Sequence, residues 1–166
     1  MFYEKFSSLK NKRVWFRLDF LYRVKGGLYM FKWKDIFSVN IDSIDKQHQK
    51  LFKIGDSLYN IVSIKDGLDR YDEIMEIVYE MREYAIYHFD YEEKLMKENG
   101  YPRFEPHRNQ HMAFINKIRS IEDRDIDENQ KEVGMDLTIF IANWIENHIL
   151  KSDMEYKEFL NNKGIF

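Results

Sequence analysis

His88-Phe89-Asp90-Tyr91-Glu92 sets a histidine and a carboxylate four residues apart, one turn from each other on the same face of an α-helix. That is a two-ligand unit for a metal ion. The chain has only five histidines, and the other four fall into related arrangements. His107 and His111 are again four apart, His148 precedes Asp153 by five, and His48 stands on an apolar helical pattern. The unit lies inside the apolar stripe Ile74, Ile77, Val78, Met81, Tyr84, Ala85, His88, Tyr91, Glu92 and Leu95, so it points into a core.

Working outward, four helical segments emerge. The first starts near Ile44, with Asp42 or Ser43 as candidate cap, and carries Leu51, Phe52, Ile54, Leu58, Tyr59 and Val62 to a stop near Gly67. The second runs from Asp69 or Asp72 to Lys97, closed by Gly100 and Pro102. The third covers residues 104–122, with Pro106 in its first turn and His107, His111, Phe114, Ile115 and Ile118 inward. An acidic loop at residues 123–128 precedes the fourth, residues 130–160, with Val133, Leu137, Phe140, Ile141, Trp144, Ile145, His148 and Met154 inward. Residues 30–43 read as an extended arm anchored by Phe31, Trp33, Ile36, Phe37, Val39 and Ile41, with Trp33 packing on the bundle. Short loops between long helices predict an all-α, up-down-up-down antiparallel four-helix bundle with an N-terminal extended arm.

Composition narrows the chemistry. There is no cysteine among the 166 residues, which removes disulfides, thiolate zinc sites, iron–sulfur clusters and covalent haem attachment. Any metal must be held by His, Asp and Glu, which suits iron, manganese or zinc. Residues 1–29 carry seven Lys/Arg against two Asp/Glu, leaving −8 on the remainder of a chain of net charge −3. An acidic body is a poor nucleic-acid binder. No apolar run long enough for a membrane span and no signal-peptide core occur, so no membrane association and a cytoplasmic location are expected.

A single inward histidine is more often a core residue than a ligand. Five of them on four helices, with Glu92 and Asp153 within reach, are different. Buried together without a cation they would cost several kcal/mol in unmet hydrogen bonds and desolvated charge. One spacing is awkward, because residues five apart on an α-helix do not share a face. Either Asp153 reaches round into the space between two metals, or the helix carries a π-bulge that brings His148 and Asp153 into line.

With its neighbours, this set resembles the hemerythrins. The matching stretches are Ile44-Asp45-Lys46-Gln47-His48, His88 through Met96, the pair His107/His111, and Trp144-Ile145-Glu146-Asn147-His148-Ile149 with Asp153. The resemblance covers about residues 31–160 and is nearest to single-domain bacterial members. It implies reversible O2 binding at a non-haem di-iron centre, in an oxygen carrier, store or delivery protein that is not an enzyme. By that resemblance His107, His111 and His148 hold one iron ion and His48 and His88 the other. Glu92, Asp153 and an oxo or hydroxo group bridge the two iron ions. O2 binds at the position left open on the second iron, and Ile145, Trp144, Phe52 and Leu51 are candidates for the apolar wall around it. The expected protein is a monomer.

Two other function classes compete. A di-iron oxidase, or an enzyme acting on peroxide or nitric oxide, would follow the carboxylate-rich pattern of paired Glu-x-x-His units; no such unit occurs in the sequence. An O2 or iron sensor module would answer to a signalling partner.

Residues 1–29 are expected to form a poorly ordered extension or to result from a mis-assigned start, with 30–166 as the di-iron domain. The resemblance begins at Phe31. Lys25-Gly26-Gly27 can be encoded by AAAGGAGG, a ribosome-binding sequence about seven nucleotides ahead of the Met30 codon. The rival is a basic arm for an acidic or anionic surface. A chain lacking residues 1–29 should keep its metal content and melting temperature, and protein made from its own upstream DNA should have the mass of a chain starting at Met30. A native Met1 start, with loss of metal on truncation, would overturn this expectation.

Overall fold

The computed structural model describes residues 31–122 and 130–166 and, ahead of them, the backbone of Arg23–Val24 and Gly27–Leu28. The expectations for the tail before residue 23 and for the loop at 123–128 lie outside the described residues. The chain divides into two units, residues 1–30 and 31–166. In the first, β1 (Arg23–Val24) pairs antiparallel with β2 (Gly27–Leu28).

The second unit is helical. A 3-10 turn at Asp35–Phe37 precedes α1 (Asp42–Ser63), α2 (Tyr71–Glu98), α3 (Phe104–Glu122) and α4 (Gln130–Asn147). A π-turn at His148–Asp153 then leads into α5 (Met154–Asn161), so α4 and α5 make one interrupted fourth helix. Side-chain pairs fix the directions. Ser43, Gln47 and Lys50 of α1 meet Tyr91, His88 and Glu80 of α2, in reverse order. Arg82 and Glu93 of α2 meet Glu122 and His111 of α3, again reversed. Gln110 and Phe114 of α3 meet His148 and Trp144, also reversed. Neighbours are therefore antiparallel, as the short connections require. No described helix is long and apolar enough to cross a membrane.

Local chemistry explains the boundaries. At the end of α2, Gly100 takes φ +69°, and Tyr101 N–H donates to Met96 O at 2.9 Å, tying off the last turn. The start of α1 differs from expectation. Neither Asp42 nor Ser43 caps it, since Ile41 stands at the cap position without a side-chain bond. Asp45 instead reaches back out of the first turn, accepting from Val39 N–H at 2.8 Å and from the Ser38 hydroxyl. The arm is thereby fastened to the helix it precedes. Gly134, a poor helix former in isolation, is explained by packing. A Cβ there would lie 2.6 Å from Val62 Cγ1, so the glycine lets α4 approach α1.

Most expected inward positions are buried, with exceptions in both directions. Ile36 of the arm is 53% exposed and Tyr91 of α2 is 37% exposed, whereas Phe89, absent from the expected stripe, is buried. Tyr91 sits at the edge of the helix face, where its hydroxyl can donate to Ser43 Oγ. Apolar packing closes the bundle beyond the histidines at one end, through Val39, Ile41, Ile44, Met96, Tyr101, Tyr156 and Leu160.

Candidate metal centre

The seven expected residues come together. His48 comes from α1, His88 and Glu92 from α2, His107 and His111 from α3, and His148 and Asp153 from the π-turn; all are at most 4% exposed. The π-turn settles the awkward spacing of His148 and Asp153. With a wider turn, residues five apart face the same way, and His148 Nε2 lies 3.2 Å from Asp153 Oδ1.

The two carboxylates divide their oxygens between two groups of histidines. Glu92 Oε1 is 3.6 Å from both His48 Nε2 and His88 Nε2, whereas its Oε2 is 3.8 Å from His107 Nε2 and 3.4 Å from His111 Nε2. Asp153 Oδ2 is 3.3 Å from His48 Nε2, and its Oδ1 also faces His107 Nε2 at 3.5 Å. Two overlapping sets of donor atoms result, Glu92/His107/His111/His148 and His48/His88/Glu92, each within 4.8 Å of one another. Donors in adjacent positions around an octahedral ion of bond length about 2.1 Å are about 3 Å apart, so this crowding suits a cation.

Several of these atoms have no hydrogen-bond partner despite burial: both nitrogens of His48, Glu92 Oε2, His107 Nε2 and both oxygens of Asp153. Unpaired buried polar atoms carry a desolvation cost, and here they converge on one place. The donor set therefore fits metal ions.

Three histidines are held from behind. His88 Nδ1 lies 2.9 Å from Gln47 Oε1, His111 Nδ1 lies 2.9 Å from Glu93 Oε1, and His148 Nδ1 lies 3.0 Å from Gln110 Oε1. Each acceptor is a sequence neighbour of one ligand candidate but serves a histidine on the next helix. Such partners orient an imidazole and raise its basicity. Phe89 stacks on His111 at 3.9 Å between ring centroids, and Trp144 stacks on His148 at 4.2 Å. The buried Tyr156 hydroxyl donates to Glu92 Oε1. The sequence reading missed Tyr156, although it follows Asp153 by three residues, the helical spacing that α5 restores.

The expected wall residues divide. Leu51, Phe52 and Ile145 are buried. Phe52 joins an aromatic group with Trp33 and Phe37, and Trp33 lies 6.4 Å from the His48 ring. Trp144 is half-buried, its ring packed on Phe114 as well as His148.

Burial and neighbours split the titrations. Burial pulls His88 down to about 4 and His148 down to about 3. Burial also opposes the charge on His48, but Asp153 and Glu92 beside it raise its pKa to about 9. The same contest, with Glu92 and Glu93, raises His111. Burial works against the charge of Glu92, yet the histidines around it, His88 first, hold it well below the usual carboxylate range. Tyr156 is pushed well above its ordinary value by burial, then by Glu92 and Asp153, and stays a neutral donor.

The fold and the donor set together define a cation-binding four-helix bundle. The family model for the hemerythrin HHE cation binding domain matches residues 39–160. A bacteriohemerythrin of Clostridium acetobutylicum is 39% identical over 127 residues, 76% of this chain and 98% of that protein. A myohemerythrin of Theromyzon tessulatum is 24% identical over 127 residues, 76% of this chain and 91% of that one. The crystal structure of a wild-type hemerythrin shares the fold, with TM-score 0.63 at 24% identity over 76% of this chain and 95% of that one. The chain belongs to the hemerythrin family.

A pH dependence follows for the metal-free protein. His88 and His148 are neutral when folded, so below their ordinary value of 6.5 the unfolded chain binds more protons and stability falls toward their folded values of about 4 and about 3. His48 acts oppositely. Its stabilisation is complete below 6.5 and is lost as pH rises through about 9. The melting temperature should pass through a maximum near neutrality. A steady rise from about pH 5 to about pH 9 would contradict this division of charge.

Proposed function

We propose that this protein binds dioxygen reversibly at a non-haem di-iron centre, as an oxygen carrier, store or delivery protein, and that it is not an enzyme. The observation that carries the proposal is the division of Glu92 and Asp153, each with one oxygen toward His48 and the other toward the histidines of α3 and the π-turn. His107, His111 and His148 would hold one iron, His48 and His88 the other, with Glu92 and Asp153 shared. Two ferrous ions held there would supply the pair of electrons needed for reversible uptake of dioxygen.

The chain's own residues do the rest. Three histidines against two leave the His48/His88 side one donor short, and an exogenous ligand would find room there. Five imidazoles to two carboxylates favour the ferrous state more than a carboxylate-rich site would, which suits release of unchanged O2. The Tyr156 hydroxyl fixes the orientation of Glu92. Leu51, Phe52, Trp144 and Ile145 would exclude water and protons from the ligand position, so that bound dioxygen leaves as it came. The proposal includes a monomeric cytoplasmic protein.

Purified protein should contain two irons per chain. After anaerobic reduction, exposure to air should produce a visible absorption band that fades on degassing. One zinc and no iron from iron-rich medium, or a band that never reverses, would overturn the proposal. Glu92→Ala should lose most of the iron, since one carboxylate serves both positions.

Ile145→Ala tests the wall. It should keep both irons but oxidise to the ferric state several-fold faster in air. An unchanged rate would assign Ile145 to ordinary core packing.

A further inference from the structure

We propose that Gln110 is a positioning residue of this centre, its side-chain oxygen fixing the tautomer of His148 and pinning the π-turn to α3. The consequence for iron rests on the proposed function; the tautomer does not.

Gln110 is an exposed position on α3, immediately before His111. A glutamine there needs no explanation beyond solvent. Yet its Oε1 turns inward and accepts from two groups of the π-turn, His148 Nδ1–H at 3.0 Å and Ser152 Oγ–H at 2.7 Å. One carbonyl oxygen has two acceptor sites, and both are used. The two donors are four residues apart and bracket the widened turn that carries His148 and Asp153. A π-turn is less favourable than the α-helix on either side of it and persists where its surroundings hold it. Gln110 supplies such a hold from a neighbouring helix.

The same bond decides where the His148 proton sits. An amide oxygen only accepts, so His148 carries its hydrogen on Nδ1 and presents a bare Nε2 to the centre. That Nε2 is the atom 3.2 Å from Asp153 Oδ1 and 3.0 Å from His111 Nε2. His111 Nδ1 faces Glu93 Oε1 at 2.9 Å, and the ring donates from Nε2 as well only when both of its nitrogens carry protons. The proton pattern is thus consistent from Gln110 to Glu93. It also explains why the acceptor is neutral. A carboxylate at position 110 would put a second negative charge behind the histidines of this group, beside that of Glu93.

The test has two parts. In 15N-labelled metal-free protein, two-bond proton–nitrogen correlation spectra should show His148 protonated on Nδ1, with the signal assigned by its loss in His148→Asn. In the iron-loaded protein, Gln110→Leu should release iron to a chelator about ten-fold or more faster than wild type, the usual scale for loss of such a partner. Gln110→Glu should retain iron but lower the midpoint potential, a change that a purely packing role would not produce. Ser152→Ala removes one donor and should give a smaller acceleration of iron release. His148 protonated on Nε2 in the wild type, iron release from Gln110→Leu at the wild-type rate, or an unchanged potential in Gln110→Glu would each overturn the proposal. The tautomer is read without metal, so wild-type protein that took up no iron would refute the proposed function while the spectrum still decided the role of Gln110. If Gln110→Leu failed to fold, Gln110→Glu and Ser152→Ala would decide it.

Discussion

Seven polar and ionisable side chains are buried in the middle of an apolar bundle, and nearly everything distinctive in this structure follows from keeping them there. Removing so many groups from water is tolerable only if their lone pairs and charges meet opposite partners. Some partners are internal: Gln47, Glu93 and Gln110 serve the outer nitrogens of three histidines, and Tyr156 serves one oxygen of Glu92. The inner atoms are left facing one another, with five of them unpaired. The packing beyond, from the aromatic group on the His48 side to the stacked Phe89 and Trp144, keeps water from satisfying those atoms cheaply.

The bundle and the site were largely legible in the sequence because the ligands repeat at the helical period. His88/Glu92 and His107/His111 announce both a helix and its inner face. Signals depending on a single turn were weaker. Ile36 looked like an anchor because apolar residues surround it, but three consecutive residues of a 3-10 turn cannot all face inward, and Phe37 took the buried position. Tyr91 and Phe89 flank the true stripe of α2. Period counting does not distinguish the two margins, and the tertiary partners, Ser43 for one and His111 for the other, decide between them. The cap of α1 was misread because Asp45, inside the helix, serves the arm backbone from a position that a local rule does not examine.

The outer partners were not legible at all. Gln47, Glu93 and Gln110 sit beside ligands in sequence, where they read as solvent-facing helix residues. Their targets lie on another helix. Each bond spans an interface, α1 to α2, α2 to α3, and α3 to the fourth helix. Such pairs set the axial register of neighbouring helices, which apolar packing alone leaves soft because many ridge-and-groove alignments are of similar energy. A one-residue slip between α3 and the fourth helix would cost only some repacking in an apolar bundle. Here it would also strand Gln110, Ser152 and His148.

The charge pattern shows how this arrangement survives without metal. Glu92 and Asp153 keep depressed pKa values and so remain anionic, while the carboxylates beside them raise His48 to about 9 and raise His111 too. These two rings, whose protonated forms are favoured, face the two carboxylates at distances of 3.3–3.6 Å. His88 and His148, the histidines whose outer nitrogens face neutral glutamines, are the ones that stay uncharged. Protons on these rings therefore stand where cations would, beside the carboxylates. A cation entering either set must displace them, because an imidazole ligates only through a bare nitrogen. The acceptor behind each of His88, His111 and His148 is thus matched to its ring. Glutamine backs the two rings whose pKa values burial lowers, and the Glu93 carboxylate backs one whose pKa is raised.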